Sequence, residues 1–107
     1  MLYKFKSKAG ADVIMLGPQG DQMLRLLGRE PAPKGLVQCT DLAAAIESLT
    51  RAVAEEEAAF AKAQADAQAA GEPIPRRAGV QLRQRAWPLI ELMRHAQREE
   101  ADMVWGV

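Results

Sequence analysis

Cysteine is almost missing from this sequence: Cys39 stands alone among 107 residues, which excludes an internal disulfide. Net charge is missing too. Fourteen acidic and fourteen basic residues balance, so no global field steers the chain toward nucleic acid or an anionic membrane. Aromatic residues make up 5%, leaving few ring faces on which bases could stack. Long apolar runs are absent, and the longest fall well short of the ~20 residues that span a bilayer. The opening MLYKFKSK alternates basic and apolar residues, unlike the apolar stretch of a secretory signal. With the lone thiol, this leads to the expectation of a reducing cytoplasm. A chain of this length fits one domain, 1–107, and can bury about two thirds of the surface its unfolded form exposes.

What is present reads as α+β. In LYKFK, residues 2–6, Tyr3 and Phe5 share one face while Lys4 and Lys6 share the other with Leu2. That is a half-buried strand whose lysines suit a sheet edge. Val13–Leu16 is apolar on both faces, as a central, covered strand requires, and the pair reads as a β-hairpin. Asp21 is placed to cap a short helix reaching Leu27, with Gly28 at its C-terminal turn. REPAPKG is a loop, after which Leu36 and Val37 add a short extended piece.

Thr40 or Asp41 caps a helix that continues to about Ala70, roughly 45 Å at 1.5 Å per residue. Leu42, Ile46, Leu49, Val53 and Phe60 form its stripe, and alanine dominates beyond residue 58. GEPIPRRAG breaks the pattern. A second helix follows from about Val80 to Glu100, with Leu82, Ala86, Leu89, Met93 and Ala96 as its core stripe, widened by Trp87 and Ile90. Pro88 sits inside it and predicts a kink. Folding the helices back at the proline loop sets Asp66 beside Arg83 and Arg85, and Glu55–Glu57 beside Arg94 and Arg98, as an antiparallel helical hairpin. Met103, Val104 and Trp105 read as a third strand; the alternative is a helix that frays out at Gly106. The sheet is therefore expected to hold two or three strands.

The stretch VIMLGPQGDQ runs from a strand through glycines into a helix, where phosphate loops sit. Such a loop needs GxxxxGK[ST], whereas Gly17 and Gly20 stand three apart and are followed by Asp21, whose charge repels a phosphate. A capped strand-to-helix turn explains the residues. Cys39 precedes a helix start, but nothing brings it to His95, the single histidine, so it reads as structural. Glu91, His95 and Glu99 form a row at i, i+4, i+8 that would bind a metal only with ligands from another element, for which Glu55–Glu57 are candidates. Arg76, Arg77, Arg83 and Arg85 cluster in PRRAGVQLRQR and could hold a small anion or RNA; a solvated basic hairpin end is the plain reading.

The opening through KG, the segment GVQLRQRAWPLIELMRHA and the tail ADMVWGV together resemble a small bacterial domain-of-unknown-function family, number 1840. The resemblance covers nearly the whole chain and implies no activity, cofactor or site residue. No catalytic, cofactor or metal residues are assigned. The leading expectation is a non-enzymatic, cytoplasmic protein–protein interaction module that forms a homo-oligomer, a dimer, through its long helices. A helix of that reach outruns a compact body of roughly 13 Å radius of gyration, and Phe60 needs cover. Val53, Phe60 and Trp87 are the candidate interface residues. The alternative is an anion or nucleic-acid module using Arg76, Arg77, Arg83 and Arg85. A third reading is a metal-dependent enzyme centred on His95.

Overall fold

The computed structural model describes residues 2–77 and 79–107. Among these, the chain forms strands β1 (Leu2–Ser7), β2 (Gly10–Leu16), β3 (Gly35–Val37) and β4 (Met103–Trp105), and helices α1 (Gly17–Leu26), α2 (Leu42–Ala69) and α3 (Leu82–Arg98). The strands pair antiparallel in the order β2-β1-β4-β3. Class α+β therefore holds, with four strands in place of two or three. The extra strand is the short extended piece at Leu36 and Val37, which pairs with the C-terminal residues as Leu36↔Val104 and Val37↔Met103.

Alternation in β1 works as its sequence predicts. Tyr3 and Phe5 enter the core, and Leu2 and Lys4 face outward. The positions of the first two strands are reversed, however. β4 attaches to the outer side of β1, with Phe5 opposite Trp105, so β1 lies inside the sheet and β2 lies at its edge. Ile14 is 59% exposed and Leu16 58% exposed, where a covered strand was expected. The apolar run of β2 thus reflects something other than two-sided burial.

One contiguous core joins the inner sheet face to all three helices, through residues such as Phe5, Met23, Leu49, Leu89, Met93 and Met103. α3 lies beneath β2: a Cβ built on Gly10 would stand 3.2 Å from Leu92 Cδ1. α1 starts four residues earlier than its expected cap at Asp21, with Pro18 in its first turn, where a missing amide costs nothing. Asp21 therefore sits inside the helix. Asp41 likewise makes no capping bond; it pairs with Arg29 at 3.5 Å, while Asp102 Oδ1 accepts the Cys39 amide at 2.8 Å.

All three helices close with the same backbone pattern, in which an amide reaches back five residues to a carbonyl. Arg29 N donates to Leu24 O, Glu72 N to Ala67 O, and Ala101 N to Ala96 O, at 2.8–2.9 Å. The left-handed position is Gly28 in the first and Gly71 in the second. In the third it is Glu100, at φ 54°.

The buried residues of α2 are Leu42, Ala45, Leu49 and Val53; from Ala54 onward its side chains are exposed or half-buried. α2 and α3 do pack together, but in a different register from the sequence reading. Glu57, not Asp66, meets Arg83. The cause is the linker. Prolines 73 and 75 hold their predecessors extended. An extended chain advances about 3.1 Å per residue against 1.5 Å in a helix. The linker therefore runs back down α2, with Gln64 Nε2 donating to Pro75 O at 3.3 Å, before α3 begins. The molecule is accordingly elongated, 51 × 28 × 22 Å, because half of α2 projects past α3.

Candidate functional sites: an arginine-lined hollow and an apolar flank

The turn at VIMLGPQGDQ is filled by the protein itself. The ring of Tyr3 lies so close to Gly20 that a Cβ there would be 2.0 Å from Cδ2. The Tyr3 hydroxyl donates to the Asp21 carboxylate. The glycine therefore serves ring packing and the aspartate serves the phenol. Burial, then the hydrogen bond to Asp21 and its charge, push the Tyr3 pKa from 10.0 up to about 12.

This predicts an alkaline signature. The unfolded chain releases the phenolic proton near pH 10.0 while the folded chain holds it to about 12, so the stabilisation is complete below 10.0 and disappears as pH rises through 12. Tyr3 is the only tyrosine, so phenolate absorbance reads it directly. Its ionisation in the folded protein is expected near 12, and Asp21→Asn should lower it. A midpoint at the ordinary tyrosine value, with the fold intact by circular dichroism, would contradict the Tyr3–Asp21 contact.

The four arginines separate into two groups. Arg83 leaves the cluster: its Nε and Nη2 donate to the two carboxylate oxygens of Glu57 at 2.8 and 2.7 Å. This forked contact holds the Glu57 carboxyl below its usual range and raises the guanidinium further. Arg76, Arg77 and Arg85 line one open hollow of about 290 Å³ between the linker, α2 and the start of α3. Arg77 Nη1 donates to Glu56 Oε1 at 2.7 Å, and its guanidinium lies 4.2 Å above the Phe60 ring. The Nε of Arg85 and Oε2 of Glu56 are both buried with no hydrogen-bond partner among the described residues. Gln22 from α1 and Gln81 complete the polar wall.

Gln22 and Glu56 were not foreseen as lining residues. The signal for Glu56 was the glutamate run 55–57, which the tight-turn register set against the wrong end of α3. That correction also separates Glu55–Glu57 from His95. His95 is exposed, and its Nδ1 accepts from Arg98 Nη2 at 2.6 Å, since a guanidinium can only donate. Glu91 pairs with Arg94 at 3.0 Å. Among the described residues, no three His, Cys, Asp or Glu side chains gather at metal-holding distance. Cys39 is a half-buried free thiol packed against the core.

The three candidate interface residues also part company. Val53 is 3% exposed and belongs to the core, because α3 covers that end of the α2 stripe. Phe60 is half-buried, and its ring is capped by Arg77 of its own chain where a second copy was expected. Trp87, expected to widen the α3 core stripe, is instead 47% exposed. The expected α3 stripe of Leu82, Ala86, Leu89, Met93 and Ala96 is buried together with Ile90, and Leu92 joins it where Trp87 was expected, leaving Trp87 on the outer side with Arg94 at 5.4 Å from its ring.

Trp87 and Pro88 floor a shallow hollow on that outer side. A second, of about 340 Å³, shares Gln84 and Pro88 with it and extends to Val13, Ile14 and Met15 of the edge strand. The outer side of α3 and the β2 edge therefore form one continuous, partly apolar flank. No described helix is long and apolar enough to cross a membrane.

A family model, Domain of unknown function (DUF1840), matches residues 1–105, and the chain belongs to that family. No curated protein and no solved structure matches it.

Proposed function

We propose, from membership in a family that assigns no activity, that this protein acts by contact and without catalysis, pairing with a second copy along the flank made by β2 and the outer side of α3. The observation that carries this reading is the exposed run from Ile14 across Pro88 to Trp87, beside a strand with an unpaired edge. An edge strand of seven residues with exposed apolar side chains templates pairing with another chain unless something covers it. Two-fold pairing of β2 with its copy would extend the sheet and bring the Ile14 and Trp87 regions of both chains together. It also keeps Lys4 and Lys6, which lie on the neighbouring strand, away from their counterparts. Stacking the open sheet faces on each other would crowd those lysines together.

The long helix α3 thus contributes through its outer side, while the projecting half of α2 is left in water with the linker along it. Sedimentation equilibrium at micromolar to high-micromolar concentration tests the proposal. The wild-type chain is expected to sediment as a dimer, and Ile14→Lys with Trp87→Ser as a folded monomer. A wild-type monomer throughout, or a dimer unaffected by both substitutions, overturns it.

A further inference from the structure

We propose that the hollow between the linker, α2 and α3 is a binding site for a small hydroxylated phosphate monoester, of the sugar- or polyol-phosphate class. Three guanidinium groups, Arg76, Arg77 and Arg85, face a single carboxylate, Glu56, leaving an excess of two positive charges. A phosphate monoester near neutral pH carries close to two negative charges and neutralises that excess. A carboxylate, or each phosphodiester of a nucleic acid, brings one.

The unpaired groups define the rest of the ligand. Arg85 Nε is a buried donor without an acceptor, and Glu56 Oε2 a buried acceptor without a donor. Buried polar atoms of this kind are rare in folded proteins, because each gives up its bonds to water. A phosphate oxygen answers the arginine and a hydroxyl answers the glutamate, and one small molecule carries both. The site is also prepared in advance. Arg77 is held between Glu56 and the Phe60 ring, so its side chain has little freedom left to lose on binding. At about 290 Å³ the hollow lies at the small end of ligand pockets, which suits a metabolite and is too small for a polymer. The face of Phe60 is already covered by Arg77, so no ring remains for base stacking.

The test uses inorganic phosphate, ethyl phosphate, glycerol 3-phosphate and glycerol, titrated at low salt and followed by calorimetry and by the arginine Nε–H resonances. Glycerol 3-phosphate is expected to bind about tenfold more tightly than ethyl phosphate, and glycerol alone not at all. The Arg85 Nε–H signal should shift on binding. Arg85→Gln should weaken glycerol 3-phosphate by at least about tenfold. Arg85→Lys, which keeps the charge but lacks the Nε donor, should fall between. Arg98→Gln, remote from the hollow, should match wild type. The proposal fails if neither ester binds saturably at millimolar concentration, if Arg85→Gln binds as wild type does, or if Arg98→Gln weakens binding equally. Equal affinity for the two esters would refute the hydroxyl assignment. Oligomeric state is measured separately, so either proposal can fail alone.

Discussion

Gly20→Ala is expected to destabilise the fold by about 3 kcal/mol or more, as overpacking against a buried ring does. The sign is the informative part. Gly20 lies inside α1, where helix propensity alone would make alanine better by about 1 kcal/mol. Packing opposes propensity: the new methyl would stand 2.0 Å from Tyr3 Cδ2 and 2.6 Å from Cγ. The ring has nowhere to go. It stacks on Phe5 with centroids 5.8 Å apart, its hydroxyl is tied to Asp21, and β1 is flanked by strands on both sides. Urea denaturation of Gly20→Ala against wild type decides between the two effects. A neutral or stabilised variant would mean that the Tyr3 ring does not occupy this position.

Trp105→Ala is expected to cost about 3–5 kcal/mol, the range for truncating a buried aromatic. Against a total stability of about 5–15 kcal/mol, that leaves a marginal fold. Trp105 joins elements far apart in sequence. It lies opposite Phe5 in β1 and Gly35 in β3, and its indole N–H donates to Ala32 O at 2.9 Å. The ring lies against Gly35, where a Cβ would be 2.1 Å from Cζ2. Trp105→Phe should recover part of the loss by refilling volume without the hydrogen bond. Urea unfolding followed by circular dichroism reads both variants. Retention of stability within about 1 kcal/mol in the alanine variant would mean that β4 is dispensable, as a frayed tail would be.

Much of the fold was legible because it is local. Alternation of Tyr3 and Phe5 against Leu2 and Lys4 assigned β1 and its inward face, and the spacing of Leu42, Leu49 and Val53 assigned the buried side of α2. β-forming residues at 103–105 identified β4. What misled were residues whose local pattern has two tertiary outcomes. Val13–Leu16 reads the same whether buried on both sides or placed at an edge with an apolar flank. The candidate site was half legible: the arginine cluster was visible, yet its division into Arg83 with Glu57, and Arg76, Arg77 and Arg85 around a hollow, depends on where the linker runs.

By itself, then, the sequence determined which segments are helix and strand and which of their faces are apolar, since these follow from side-chain periodicity and backbone preference within a few residues. Tertiary structure alone decided that β1 is interior and β2 is edge, that Gly20 and Gly35 make room for the rings of Tyr3 and Trp105, and which glutamate meets which arginine. Those outcomes depend on contacts between residues tens of positions apart. A shift of the extended linker by a few residues re-pairs the charges that meet between the two helices, such as Glu57 and Arg83, while leaving each local pattern unchanged.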